Sequence, residues 1–368
     1  MGSVWGNKIK MSIFGESHGE GIGVVIDGFP AGFAVDFEYI NKELKRRAPG
    51  GNLATARKES DEVQILSGIK GALTKFTTGA PICAFIKNTD MRSSDYQSEL
   101  INPRPSHADY TAHIKYNGFA DMRGGGHFSA RLTAPFVFAG ALCADYLKRE
   151  HNIIIGARIK RVGHIEDNRL DYDMIDSSFI DELKALEPPA MISEEKAEEA
   201  RSFLTQLKAE GDSVGAVVEC FAVNIPTGLG EHIFASAETV ISSAVFGIPG
   251  VKGIEFGRGF ELTAMRGSEA NDEFYYDNNG QVRVKKNNNG GILGGMTSGM
   301  PVVFSVAFKP TPSIFIEQET VNLRDKTNEN LTIKGRHDPC IGLRAVPIVE
   351  AAAVIAFMEM KLQMQKMS

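Results

Sequence analysis

Residues 21–51 read GIGVVIDGFPAGFAVDFEYINKELKRRAPGG and spell one strand, one turn and one helix in succession. Gly21–Asp27 is rich in β-branched residues and bounded by turn formers, the mark of a strand. Gly28-Phe29-Pro30-Ala31-Gly32 is the turn. Asp36 sits where an N-cap belongs, and Phe37, Ile40 and Leu44 then share one helical face. Lys45, Arg46 and Arg47 complement the negative end of that helix, and Pro49-Gly50-Gly51 stops it.

A similar unit recurs in the second half. Gly215–Phe221 leads to the turn Pro226-Thr227-Gly228-Leu229-Gly230 and to a helical segment over roughly 234–245. The recurrence predicts a weak internal duplication. Pro135 marks the first turn of an apolar helix that ends at Lys148-Arg149, and Ser193 caps a charged amphipathic helix that stops at Gly211. Pro347 to Met360 reads as a buried core helix and not a membrane span, since it contains Glu350 and Glu359. The stretch 158–190 reads as irregular, acidic and superficial. Residues 271–291, with Asn-Asn-Gly twice, read as a hairpin or loop. A strand is expected over 301–308. No segment has the composition of a linker, so residues 1–368 are expected to form one α+β domain of helices and antiparallel sheets.

The bulk numbers narrow the function. The chain has 368 residues, 43% hydrophobic and 23% charged, which suits an ordinary globular protein with ample core. A net charge of −6 argues against general nucleic-acid binding, which leaves a basic footprint. Cys83, Cys143, Cys220 and Cys340 have neither metal nor redox spacing and read as buried thiols in a reducing cytoplasm. The N-terminal residues show no signal-peptide pattern, and Gly6 stands where a myristoylation motif needs Ser or Thr. No metal site and no membrane contact are expected.

Chemistry concentrates in a few glycine-rich clusters. RPSHADY (104–110) and DMRGGGHFSAR (121–131) combine Arg104, Arg123 and Arg131 with His107, His127 and a triple glycine. Arginine's planar fork suits carboxylate and phosphate, glycine lets backbone N–H groups approach an anion, and histidine exchanges protons near neutrality. GESHG (15–19) offers His18 in a tight turn. GGILGGMTSGM (290–300) is a second glycine cluster, and Lys309-Pro310-Thr311-Pro312-Ser313 puts a lysine and two hydroxyls at a strand end. KGRHDPC (334–340) sets Arg336 beside Asp338, where an arginine favours the ionised carboxylate. Each cluster alone has a plain reading as a turn or a solvated loop. None matches a P-loop, a Rossmann fingerprint or a nucleophile elbow. Their shared composition points to a site that holds a multiply charged anion and moves protons around it.

Taken together, FGESHG (14–19), KRRAPG (45–50), RPSHADY, DMRGGGHFSAR, GGILGGMTSG (290–299), FKPTPS (308–313) and KGRHDPCIGLRAVPIVEA (334–351) resemble the chorismate synthase family over nearly the whole chain. The resemblance implies a β-α-β sandwich, with helices packed between antiparallel sheets, assembled as a homotetramer. It implies a lyase of the shikimate pathway, in aromatic amino-acid biosynthesis. The substrate would be 5-enolpyruvylshikimate 3-phosphate, converted to chorismate and phosphate by anti-1,4-elimination with reduced FMN (FMNH2) and no net redox change. His18 matches a proton donor near the leaving phosphate, and His107 the histidine that acts on the reduced flavin. Asp338 matches the acid that helps the flavin accept the ring proton. Arg47, Arg123 and Arg131 match substrate-binding positions. His127, Phe128, Ser129, Gly294, Lys309, Pro310, Thr311, Pro312, Ser313 and Arg336 match flavin-binding positions. Many members read GGGRSSARET where this chain reads GGGHFSARLT, which bears on side-chain contacts at His127 and Phe128. A family Asn-Ala pair falls at Pro249-Gly250, and a family arginine falls at Leu53, with Arg57 nearby. No long insertion or nicotinamide fingerprint is present. NADPH is therefore expected only as an indirect reductant, through a separate flavin reductase. The competing classes are a flavin-dependent oxidoreductase and a non-catalytic flavin- or nucleotide-binding protein.

Overall fold

Gly21–Asp27 forms a strand over the expected residues, and it lies at the centre of a five-stranded antiparallel sheet. The computed structural model describes residues 2–48, 61–89, 101–333, 335 and 337–364. In chain order the first sheet comprises β1 (Val4–Trp5), β2 (Lys10–Gly15), β3 (Gly21–Asp27), β4 (Val63–Ser67) and β5 (Ile82–Lys87), arranged β1-β2-β3-β5-β4. The second comprises β6 (Ile154–Val162), β7 (Ile165–Glu166), β8 (Ala216–Val223), β9 (Val251–Phe256) and β10 (Val302–Phe308), arranged β9-β10-β8-β6-β7. All pairings are antiparallel.

The main helices are α1 (Phe37–Arg47), α2 (Asp109–Lys115), α3 (Thr133–His151), α4 (Ser177–Ala185), α5 (Glu194–Glu210), α6 (Ala237–Val245) and α7 (Gly342–Met364). Of these, α1, α3, α6 and α7 fill the space between the sheets. Helix α3 packs along α7 and against β3 and β5, while α7 lies on β6 and β8. Helix α1 touches both α3 and α7, and α6 packs on α7 and β9. The order sheet, helices, sheet is the expected sandwich, and the class is α+β. A helix enclosed this way must be apolar all round. In α7 every residue from Ala345 to Met360 is buried. Its two carboxylates are satisfied internally: Glu350 accepts from Arg46 and from the Ala157 N–H, and Glu359 accepts from the N–H groups of Lys8 and Ile9.

The halves repeat one topology. Strands β2 and β3, helix α1, strands β4 and β5 and helix α3 follow in the first half. Strands β6 and β8, helix α6, strands β9 and β10 and helix α7 follow in the second, with α4 and α5 inserted between β6 and β8. The sheet orders β2-β3-β5-β4 and β6-β8-β10-β9 correspond strand by strand.

One expectation fails. Residues 158–190 are not irregular and superficial: Arg158 is 1% exposed on β6, and Ser177–Ala185 is helix α4, packed on the outer face of the second sheet. The charges misled because they pair inside. Arg158 donates to Glu219 and Asp167, and Glu219 also accepts from the Tyr172 hydroxyl.

Candidate active site

The turn between β2 and β3 carries His18, which is 7% exposed. It is locked to the triple glycine. The Ser17 N–H donates to the Gly126 carbonyl at 3.1 Å. The Ser17 hydroxyl donates toward the carbonyls of Arg123 (3.2 Å) and Gly124 (3.1 Å). With its one hydrogen used there, Ser17 Oγ is left to accept from His18 Nδ1 at 3.2 Å.

Gly124, Gly125 and Gly126 have φ of 59°, 90° and 51°, a run of positive φ that favours glycine. A Cβ on Gly124 would lie 2.0 Å from His18 Cε1, and one on Gly125 would lie 3.5 Å from His107 Nε2. The glycine turn therefore passes between the two imidazoles named from the sequence.

His107 is held from within its own loop. Its Nδ1 lies 2.6 Å from Asp109 Oδ1, and Asp109 also accepts from Arg104 Nε (2.7 Å) and Nη2 (2.8 Å). Burial alone would raise the Asp109 carboxyl, yet the hydrogen bonds from Arg104 and His107 outweigh it and hold the group well below the usual range.

A second set of contacts joins the arginines to the same turn. Asn88 Nδ2 donates to the carbonyls of Glu16 (3.0 Å) and Gly19 (2.9 Å), and its Oδ1 accepts from Arg131 Nε at 3.3 Å. Buried Asp61 pairs with Arg131 and, at 2.6 Å, with Arg47 Nη2. Arg344 Nε donates to the Arg47 carbonyl at 3.1 Å, and its Nη1 to Asp338 at 3.0 Å. One connected path thus runs from the His18 turn through Arg131 and Arg47 to Asp338.

The remaining expected residues are placed as follows. Arg123 is more exposed and is clamped by Asp121 at 2.9 and 2.6 Å. His127 uses both ring nitrogens: Nδ1 donates to the Gly15 carbonyl and Nε2 accepts from the Ser3 hydroxyl, each at 2.9 Å. Phe128 lies 6.4 Å, ring to ring, from Tyr116, and Ser129 Oγ caps Arg131 N. Lys309 Nζ donates to the Ser106 carbonyl, tying the loop after β10 to the His107 loop. In that loop Thr311 Oγ1 is buried without a partner among the described residues, and Ser313 is buried. Gly294 stands apart. It opens the two-residue turn of the hairpin Ile292–Leu293/Met296–Thr297, with φ of 61°. That hairpin's hydrogen bonds run to Pro226, Leu229 and Ala237. Arg336, Pro49, Gly50, Gly51, Leu53 and Arg57 lie outside the described residues.

Sequence reading missed Asp61, Asn88, Asp109 and Arg344 as site partners. Asp109 and Arg344 stand inside quoted motifs, so their proximity to His107 and Asp338 was the available signal. Asp61 and Asn88 reach the site only through the tertiary fold.

The antiparallel sandwich thus brings His18 and His107 against one glycine turn, with buried Arg47 and Arg131 paired to Asp61 nearby. The family model of chorismate synthase matches residues 9–362. The chain is 46% identical over 352 residues to the chorismate synthase of Pyrococcus abyssi, covering 96% of this chain and 95% of that one. It is 42% identical over 364 residues to that of Methanococcus aeolicus, covering 97% and 96%. A solved crystal structure of a chorismate synthase superposes with a TM-score of 0.76 at 29% identity, covering 98% of this chain and 93% of that one. The chain belongs to the chorismate synthase family.

Proposed function

We propose that this protein converts 5-enolpyruvylshikimate 3-phosphate to chorismate and phosphate by anti-1,4-elimination, with reduced FMN as cofactor and no net redox change. The observation that carries the reading is the glycine turn set against His18 and His107, with the His18 turn tied through Asn88 to Arg131 and onward through Asp61, Arg47 and Arg344 to Asp338. The elimination removes one phosphate and one ring proton. It therefore needs a group at the leaving oxygen, a group at the proton and cations for the substrate's carboxylates and phosphate.

His18 is the donor to the leaving phosphate, with its ring held at Nδ1 by Ser17. Arg47 and Arg131 hold substrate anions, with Arg123 nearer the surface. Asp338, steadied by Arg344, is the carboxylate assigned to the ring proton. His107 manages the proton at the cofactor.

The residues present fit a flavin. Buried Thr311 Oγ1 has no partner among the described residues, and Lys309 lies beside the His107 loop; Gly294, on its separate hairpin, keeps its flavin assignment on the resemblance alone. Once bound, the reduced flavin lends electron density to the allylic system and loosens the bond to phosphate. Ser129, Pro310, Pro312 and Ser313 complete that side. His127 and Phe128 contribute through backbone, since the His127 ring is fully used by Ser3 and Gly15. Arg336 keeps its flavin assignment on the resemblance alone. The wider reading is a cytoplasmic homotetramer supplied by a separate, NADPH-consuming reductase. No described helix is long and apolar enough to cross a membrane.

The test is phosphate release from the enolpyruvyl substrate with photoreduced FMN under anaerobic conditions. Turnover should require reduced FMN and be catalytic in it. Equal activity with oxidised FMN, or one flavin oxidised per product, would sink the reading, and the latter result would favour an oxidoreductase.

A further inference from the structure

The loop Arg104–Asp109 holds an imidazole, a carboxylate and a guanidinium in mutual contact. Asp109 is 1% exposed, and it accepts from both the backbone N–H (3.0 Å) and the side chain of Arg104. His107 Nδ1 faces two groups with opposite demands. Asp109 Oδ1 is 2.6 Å away and Arg104 Nη2 is 3.1 Å away. An ionised carboxylate only accepts, so its short contact requires a hydrogen on Nδ1. A guanidinium only donates, so its contact would require a lone pair there. Both cannot be satisfied. The carboxylate contact is shorter and charge-assisted on the accepting side, so it wins. Nε2 then points to the glycine turn, 3.5 Å from where a Gly125 Cβ would stand.

We propose that Asp109 is a positioning residue for the reaction, fixing the Nδ1–H tautomer of His107 against the competing Arg104 donor so that Nε2 is the working nitrogen. The role in turnover rests on His107 belonging to the reacting centre, as proposed above; the tautomer does not. Asp109→Asn keeps the shape and removes the charge. Arg104 then takes Nδ1, the proton moves to Nε2, and the nitrogen facing the glycines loses its lone pair.

The experiment is ¹⁵N spectroscopy of histidine-labelled, ligand-free protein above the histidine titration, with His107 assigned by its loss in His107→Gln. The wild type should show pyrrole-type Nδ1 and pyridine-type Nε2. In Asp109→Asn the two types should exchange. The same variant should lose between about 10-fold and about 10⁴-fold in kcat with KM unchanged, the span found when the carboxylate that orients an imidazole is removed. Arg104→Met, which deletes the competitor, should keep the wild-type tautomer, and it covers the case in which Asp109→Asn fails to fold. A wild-type Nε2–H ring, an unswitched ring in Asp109→Asn or a switched ring in Arg104→Met would each overturn the inference. A switched ring with normal kcat overturns it alone if His107→Gln is inactive. If His107→Gln is also fully active, the reading of His107 as a reacting group falls with it.

Discussion

Gly124 shows how much one missing side chain decides. Its φ of 59° costs an L-residue about 1–2 kcal/mol, and an added Cβ would lie 2.0 Å from the His18 ring. Something must move, and the imidazole is the softer neighbour. Gly124→Ala should therefore destabilise the fold by about 1–3 kcal/mol. If His18 is the general acid, the same change should cut kcat by about 10²–10⁴-fold. Because the effect runs through His18, the double variant with His18→Ala should be no slower than His18→Ala alone. Additive losses in that cycle would show that Gly124 acts elsewhere. The sequence displays the histidines and glycines openly, since exposed turn chemistry is local. It does not display which ring faces which glycine, nor that Asp61 joins Arg47 to Arg131. Those facts come from elements distant in the chain.

At the scale of elements, legibility follows the range of the forces involved. The helix capped by Ser193 runs Glu194–Glu210 and ends at Gly211 with φ of 76°, as its caps predict. Helix α1 begins after Asp36, whose side chain accepts from Tyr39 N. Both signals lie within a few residues. Strand β6 was missed because its charges find partners on β8 and in the segment before α4, beyond the reach of any local pattern. The matching strand orders of the two sheets support a proposal at this scale: we propose that one domain arose by duplication of a strand–strand–helix–strand–strand–helix unit. Its two terminal helices, α3 and α7, meet at Gly140, where a Cβ would lie 2.3 Å from Ala351 Cβ. Gly140→Ala gains about 1 kcal/mol of helix propensity but overpacks a contact between helices caught between two sheets, at about 1–3 kcal/mol. Overpacking should win, and the urea midpoint should fall. A higher midpoint would mean that the helices separate at no cost.

Across the whole molecule, buried charge sets the response to pH. Glu219 and Glu350 would be raised by burial alone, but Arg158 with Lys160, and Arg46 with Lys184, outweigh it and hold both carboxylates below the ordinary 4.5. Asp109 is held below its ordinary 3.8 by Arg104 and His107, again against burial. A carboxyl depressed in the folded state stabilises fully above its unfolded value and loses that contribution as pH falls through its folded value. The thiols run the other way. Burial pushes Cys143 up to about 12 and Cys340 up to about 11, from 9.0. Their contribution is complete below the unfolded value and drains as pH rises toward those figures. The two signs together predict a stability plateau between about pH 5 and pH 9, falling on either side. Urea midpoints measured across that span and to about pH 3.5 test this directly. High salt should leave the plateau height nearly unchanged, because buried pairs are weakly screened. A midpoint that instead declines steadily between about pH 8 and pH 6 would place control with the histidines. Salt-sensitive stability would place it with the exposed pairs such as Arg169–Glu261, which contribute about 0–1 kcal/mol each at most.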